Sequence, residues 1–426
     1  MELKMEKKIA IDSEDSRAYS RPQLSLFTRV VLCVYFILSV FEPYLNSVIG
    51  SILKYYIIFV IGLIIFQSRG KIKLHPISKA FAIWLVFKII SILWSTNIAT
   101  VRLYFISQVG MVLFLIVLLA NPIDKLTLEW IKTVYWLSSA ILGLLSIFSS
   151  RSYLGSIAVR QVVVIFGVGI DPNNQAALLL IGIGISLVHI FYEKKYIILS
   201  VVVFLVNSFG TFLTGSRAGF LTIILSILFI VFLPSKKQKV STIIIKILLV
   251  LFAFAGILFI AQRFLNINIY NRLFSFDDYT GGSGRITLWR MIFEEYIKDP
   301  ARILFGLGWG SYSKIVQIGE TGSAHNTFLT ILSDTGLIGF VIFMYPILNM
   351  LFSMIKERQQ LPIMMVLVQF TPAFFIDSIH KRFFWNAIFI LGLYYYSYWN
   401  NKALPLMEGI DDLTDEKSVL KNTNSV

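Results

Sequence analysis

The sequence predicts an all-α, polytopic membrane protein, and two observations carry that prediction. Of the 426 residues, 57% are hydrophobic and only 15% are charged, whereas soluble domains average about 25% charged residues. Apolar runs of about 17–25 residues recur along the chain, and each is long enough to cross a hydrocarbon core of about 30 Å as a helix.

Twelve segments have this length and character. We predict spans near 24–41, 48–66, 78–95, 104–120, 133–149, 175–192, 196–213, 218–234, 242–261, 326–350, 362–377 and 383–400. They divide the chain into a cytoplasmic tail, nine spans, one long extracytoplasmic loop with an amphipathic helix, three more spans and a second tail, at 1–23, 24–261, 262–325, 326–400 and 401–426. Because no small-residue cleavage site follows the first run, that run is expected to be a retained span and not a signal peptide.

Lysine and arginine set the predicted orientation. With the N-terminus in the cytoplasm, the short inner loops and both tails carry most of the basic residues, as the positive-inside rule requires. The net charge of +14 is therefore assigned to the inner membrane surface, and no nucleic-acid partner is expected. The single cysteine, Cys33, lies within the first span and excludes an intramolecular disulfide and a cysteine-rich metal site.

Three predicted spans begin at the outer face with polar residues. Spans six, eight and ten run from outside to inside, and they are preceded by DPNN, GSR and AHN. A helix N-terminus has free backbone N–H groups and a partial positive charge, so it favours anions. Three such termini, each accompanied by arginine or histidine, predict a phosphate or pyrophosphate site. The alternative is that Asp171, Asn173 and Ser216 only cap their helices.

Two arginines belong to this set of polar residues at the outer face. Arg217 stands at a membrane boundary, where arginine is costly and is usually paired or functional. Its guanidinium suits bidentate phosphate contact, and the alternative is that it snorkels to the interface. Arg285 lies in GGSGRITLW, whose glycines let the backbone approach a ligand or simply make a turn.

An amphipathic helix is predicted directly after Arg285 and should end at Asp299-Pro300. Its apolar residues recur at helical spacing, at Ile286, Trp289, Ile292, Phe293, Tyr296 and Ile297. Such a helix could lie on the outer membrane surface and guide a lipid-borne substrate. Packing over the core of the loop itself is an equal alternative.

His325 is the candidate general base. It stands at the start of span ten, where a helix N-terminus lowers the pKa of an imidazole and keeps it neutral, as a base requires. Taken alone, this residue is better explained as a hydrogen-bonded interfacial histidine, but its position beside three arginines at the same face favours the base. The four histidines fall on different sides of the membrane in this topology, so neither a metal nor another cofactor is expected.

The order of five short motifs resembles that of the O-antigen ligase and polysaccharide polymerase family. The motifs are GSRAG, GR-x3-W, GLGWGSY, AHN-TFL and DTGLIG, and the resemblance covers roughly residues 160–345. The last motif usually carries Glu, where this chain has Asp334. The resemblance implies a GT-C-like multispan fold at the bacterial cytoplasmic membrane, with its active face outside.

The resemblance also implies an activity and roles for named residues. It implies a metal-independent, inverting transfer of a glycan from an undecaprenyl-pyrophosphate carrier to an acceptor hydroxyl. Arg217 and Arg285 would hold the pyrophosphate, and His325 would activate the acceptor. The further residues expected to contact the donor or its glycan are Arg160, Asn173, Ser216, Asn326 and Trp289. Other partners would be membrane lipid and a chain-length regulator and flippase of the same pathway.

Several functions stay open at this level. We favour a polymerase that joins carrier-linked repeat units, because nothing in the loop marks recognition of a lipid core. The alternatives are a ligase that moves the finished glycan to a lipid A-core or protein, a flippase for the lipid-linked sugar, and a scaffold. An outer cavity with Arg217, Arg285 and His325 would favour an enzyme, whereas a polar path through the bundle would favour transport. The roles of Asp377, His380 and Arg382 are left open.

Overall fold

The computed structural model confirms the all-α, polytopic class. It describes residues 24–70, 72, 74–121, 123–152, 160–232, seven separate positions between 244 and 259, 284–315 and 323–397. Fourteen α-helices lie within these ranges. They are α1 (Leu26–Ile49), α2 (Ile52–Gln67), α3 (Pro76–Ile90), α4 (Ile98–Leu119), α5 (Lys125–Phe148), α6 (Pro172–Val188), α7 (Ile197–Leu213), α8 (Arg217–Phe232), α9 (Arg285–Tyr296), α10 (Pro300–Phe305), α11 (Tyr312–Ile315), α12 (Thr327–Lys356), α13 (Gln360–Ala373) and α14 (382–397).

Helices occupy eleven of the twelve segments predicted to span the membrane. Six helical segments are long and apolar enough to cross a bilayer: α1, α3 with the 3-10 turn Ser91–Trp94, α4, α5, α6 with the π-helical turn His189–Glu193, and α12. Shorter apolar helices are α2, α7, α8 and α13. The ninth predicted span, 242–261, falls mostly outside the described residues, although the seven positions described there are helical.

A small antiparallel sheet lies between α5 and α6, where no strand was predicted. Its strands are β1 (Ser150–Ser152), β2 (Gln161–Ile165) and β3 (Val168–Gly169), in the order β1-β2-β3. Val163 pairs with Ser150, and its N–H also donates to the buried Gln175 side chain at 2.8 Å. The sheet therefore rests on the beginning of α6.

The centre of the bundle is α6, which packs against α5, α7, α8 and α13. Asn207 of α7 is held there between two glycines. A Cβ atom at Gly143 or at Gly182 would lie 1.9 Å from an atom of the Asn207 amide. Small residues allow membrane helices to approach closely, and interhelical hydrogen bonds then join them. Ser139 of α5 accepts two such bonds, from the Asn207 side chain at 3.2 Å and from the Gly182 N–H at 3.0 Å.

Helix α12 is broken near its beginning at Gly336. This glycine has φ 66° and ψ −174°, which are not helical values. The break is needed because the backbone of another segment passes directly over it: a Cβ atom at Gly336 would lie 2.3 Å from the carbonyl oxygen of Leu304. Only glycine allows such an approach at positive φ. The break divides α12 into a short first part, which begins at Thr327, and a long second part.

Candidate functional site

The N-termini of α6 and α8 are joined by direct side-chain contacts. Asn173 is the second residue of α6, and its Oδ1 accepts from Ser216, which precedes α8, at 2.9 Å. The same oxygen accepts from Arg160 Nη2 at 3.0 Å, and Arg160 Nε donates to the carbonyl of Thr214 at 2.9 Å. Arg160 thus ties the two helix beginnings together.

Of the three residues that were alternatively expected to cap helices, two do so. Asp171 accepts from the backbone N–H groups of Asn173 and Asn174 and caps α6. Ser216 accepts from the Gly219 N–H at 3.2 Å and caps α8. Asn173 makes no cap and instead joins Arg160 to Ser216. These bonds build the frame of the predicted anion site.

Arg285 is the first residue of α9 and lies close to this frame. Gly284 precedes it with φ 76°, so the glycine-rich sequence is needed for the turn that begins the helix. Burial lowers the pKa of Arg285, Asp171 opposes that shift, and the positive charge of Arg217 adds to it. The two guanidinium groups are therefore near enough to repel each other, and a bound anion would relieve that repulsion.

His325 lies directly before α12 and beside the same arginine. Burial lowers the pKa of His325 and Arg285 lowers it further, while Asp171 and Asp377 partly oppose the shift. Both effects favour the neutral imidazole, which is the form that can accept a proton. Its φ of 48° is in the left-handed region, which is uncommon outside glycine and occurs at functional turns. The next residue, Asn326, caps α12 by accepting from the Phe328 and Leu329 N–H groups.

Helix α9 supports the His325 turn from one side. The Trp289 indole donates to the carbonyl of Ala324 at 2.8 Å. Ile292, Tyr312 and Ala324 form a small buried cluster. The structure has a helix where the amphipathic segment was predicted, and one face of it packs on the loop and α12. A second set of its apolar residues is exposed, namely Ile286, Phe293 and Ile297.

Arg217, Arg285 and His325 therefore come together with the ends of α6, α8 and α12. Residues 201–344 match the O-antigen ligase family model. The matched third of the chain contains these three residues and confirms the resemblance drawn from the motifs. Arg160, Asn173 and the segment 377–382 lie outside the match. A comparison with curated proteins returned no match.

Within the family-matched region, the glycine-rich motif and the DTGLIG motif are structural partners. The Leu307 N–H donates to the carbonyl of Ser333 at 2.7 Å, and the Gly310 N–H donates to Asp334 Oδ1 at 2.8 Å. A Cβ atom at Gly306 would lie 2.5 Å from the backbone nitrogen of Gly336. Together the two motifs hold the loop against the break in α12.

Lys88, which lies in the predicted span 78–95, is a further partner of this assembly. No role was predicted for it. Its Nζ lies 3.3 Å from Asp334 Oδ2, and both side chains are only 1% exposed. The ammonium also lies 4.9 Å from the centroid of the Trp309 ring and 5.3 Å from that of Trp84. The sequence does contain a signal for this pair: a single lysine lies in one apolar span and a carboxylate lies in another.

The segment 377–382, whose roles were left open, lies beside the start of α12. Thr327 donates to the carbonyl of Ile376 at 2.8 Å. Asp377 accepts from Tyr312 at 2.8 Å and from Thr330 at 3.2 Å. His380 stacks on Tyr104 with ring centroids 3.7 Å apart.

The start of α14 contains a buried ion pair. Arg382 Nε lies 2.6 Å from Glu42 Oε2 of α1, and the Arg382 side chain is only 2% exposed. This pair joins the first and last described helices. In the ranges that the structure describes, no group of three histidine, cysteine, aspartate or glutamate side chains has the geometry of a metal site.

Proposed function

We propose that this chain is a polymerase that joins undecaprenyl-pyrophosphate-linked glycan repeat units at the outer face of the bacterial cytoplasmic membrane. The observation that carries the proposal is the meeting of Arg217, Arg285 and a neutral His325 at the N-termini of α6, α8 and α12. This arrangement combines an anion site with a base, as the transfer of a glycan from a pyrophosphate requires. The family match supports glycan processing of this kind.

In the proposed reaction, His325 accepts the proton of an acceptor hydroxyl as the hydroxyl oxygen attacks the anomeric carbon of the donor sugar. The new C–O bond forms on the face opposite the breaking bond to the pyrophosphate, so the configuration at that carbon inverts. The pyrophosphate leaves with the electron pair, and Arg217, Arg285 and the helix N-termini stabilise its negative charge. His325 then releases its proton to the solvent. No metal takes part in this scheme.

A ligase that transfers the finished glycan to a lipid core or protein is the second candidate. It is favoured by the description of the matching family as O-antigen ligase. Donor site and base would serve both reactions equally, so the two candidates differ only in the acceptor. Transport has less support, because Arg217, Arg285 and His325 stand at helix beginnings and not at the middle of the spans.

The test is transfer by the purified protein with a defined donor. A lipid-pyrophosphate-linked repeat unit is supplied alone, in the presence of a metal chelator, and the products are separated by size. We expect a ladder of longer glycans on the carrier. Transfer that appears only after a lipid-core or protein acceptor is added would establish the ligase instead. Inactivity under both conditions would contradict either transferase.

A base variant completes this test. His325→Ala should abolish transfer while the protein still inserts and purifies normally, because no other described imidazole lies at the arginine pair. The matched control is His75→Ala, which changes a histidine at the beginning of α3. A well-expressed His325→Ala protein with normal product would remove His325 from the mechanism.

A further inference from the structure

A groove of about 760 Å³ lies between the end of α3 and the loop helix α10. Its walls are mainly apolar and include Phe87, Ile90, Trp94 and Phe305. Small-molecule sites commonly occupy about 300–1,000 Å³. The groove is therefore large enough to hold a section of a lipid chain.

The floor of the groove is built from rigid backbone contacts. Gly306 and Leu307 line it. The Leu307 N–H donates to the Ser333 carbonyl at 2.7 Å, and the backbones at Gly306 and Gly336 are too close to admit a side chain. Because these contacts fix the floor to α12, the groove exists before any ligand binds.

The two edges of the groove differ in chemistry. On one edge, Ile90 is 45% exposed and Phe305 is 43% exposed, so the apolar lining continues onto the outer surface. On the other edge, Arg302 and Lys298 both bond to Glu295. Two positive charges and one negative charge give this edge a net positive charge. This positive rim complements a phosphate. An apolar wall beside a cationic rim matches an amphiphile with a phosphorylated head.

The groove and the arginine pair are separate places on the molecule. Arg285 begins α9 and Glu295 stands near its end, so ten residues of helix, about 15 Å, lie between them. The groove helices α3 and α10 pack against α12, whereas α6 and α8 pack against α13. His325 directly precedes the N-cap of α12, the helix that α3 and α10 of the groove pack against.

We propose that this groove holds the isoprenoid chain of the acceptor, a second polyprenyl-pyrophosphate-linked glycan, with its phosphate beside Arg302 and its sugar directed toward His325. The proposal rests on the polymerase function proposed above. A polymerase must hold two carrier lipids at once, and the arginine pair accounts for the donor only. The acceptor chain therefore requires its own place on the membrane-facing surface.

Photolabelling tests the groove independently of catalysis. The protein in lipid nanodiscs is irradiated with a repeat unit on a photoreactive isoprenoid pyrophosphate, and the labelled peptides are identified by mass spectrometry. We expect label on peptides covering 87–94 and 301–307, and we expect it to persist in Arg285→Ala, which weakens donor binding. Ala301→Trp should remove the label because the indole fills the groove. The control Leu93→Trp, at a position 85% exposed and outside the groove, should retain it.

Two results of the photolabelling would contradict the groove assignment. Label absent from both peptides in the unchanged protein would overturn the proposal. Loss of the label in Arg285→Ala would assign the groove to the donor chain and would also overturn it.

Kinetics separate this proposal from the polymerase proposal. Ala301→Trp should raise the KM for the lipid-linked acceptor by about tenfold, with the KM for the donor unchanged. An unchanged acceptor KM in an active protein would refute the groove assignment alone. A protein that is labelled in the groove but never transfers glycan would refute the polymerase function alone.

Discussion

At the residue scale, the arginines of the site divide into two kinds. Arg160 is committed to the frame, because its guanidinium bonds to Asn173 and to the Thr214 carbonyl. Arg217 and Arg285 instead influence each other electrostatically. Arg160 therefore holds the helix ends, and Arg217 and Arg285 are the pair proposed to contact the ligand.

Substitution by lysine tests the pyrophosphate contact. Arg217→Lys and Arg285→Lys keep the charge but lose the planar fork that binds two phosphate oxygens. We expect glycan transfer to fall by about two orders of magnitude in each variant, comparable to the loss of one transition-state donor. Transfer is measured with the purified proteins, and the control is Arg290→Lys on the exposed face of α9. Wild-type rates in both variants would contradict the clamp.

The pKa of His325 predicts the pH dependence of transfer. The base acts in its neutral form, so kcat/KM should fall as the pH drops through this pKa. Burial and Arg285 place the pKa below its ordinary value of 6.5. We therefore expect the acid limb of the pH–rate profile to have its midpoint below pH 6.5. A midpoint above 6.5 would show that His325 is not the titrating base or that Arg285 does not lie beside it.

At the element scale, the packing of α5, α6 and α7 depends on glycine. Gly182→Ala would put a methyl group 1.9 Å from the Asn207 amide nitrogen. Overpacking of this kind costs about 1–3 kcal/mol, so the thermal unfolding temperature of the purified protein should fall. The matched control is Gly62→Ala in α2, where a Cβ atom meets nothing within 4 Å. Equal stability of the two variants would contradict this packing.

The ion pair between α3 and α12 makes a second prediction at this scale. Lys88→Met leaves the Asp334 carboxylate buried without its cation, and breaking a buried pair from one side costs about 3–5 kcal/mol. The double variant Lys88→Met/Asp334→Asn should recover part of that loss, since no uncompensated charge remains. Thermal unfolding measures both, with Lys79→Met on the exposed side of α3 as control. A double variant less stable than Lys88→Met would contradict a pairing role.

At the scale of the whole molecule, the predicted membrane orientation can be tested by labelling single introduced cysteines. Cys33 is buried, and a Cys33→Ser protein provides the background. Phe166→Cys, at a position 70% exposed next to β2, should react with a membrane-impermeant maleimide added to intact spheroplasts. Lys195→Cys, between α6 and α7, should react only after permeabilisation. The reverse pattern would place the arginine pair in the cytoplasm and exclude an outer-face donor.

Much of the fold could be predicted from local properties of the chain. The apolar runs predicted the positions of the helices, because the cost of burying backbone polar groups in lipid makes a long apolar run helical wherever it lies. The caps at Asp171 and Ser216 and the amphipathic pattern of α9 are local as well. Their signals come from residues within one or two helical turns.

Other features depend on segments far apart in the sequence. Lys88 and Asp334 pair across most of the chain, and Gly336 breaks α12 because the backbone at Leu304 passes over it. The short sheet beside α6 was missed because its few residues gain their stability from Gln175 and from pairing with each other.

The sequence by itself determined the membrane class, the helical segments and the motifs that resemble the O-antigen ligase family. Each of these follows from composition and local order. Only the tertiary structure decided that Arg217, Arg285 and His325 meet, and that Arg160 holds the frame. The physical reason is that these residues lie far apart in the sequence, and only contacts between segments bring them near one another. One example is the bonding of Arg160 and Ser216 to Asn173, which joins the beginnings of α6 and α8.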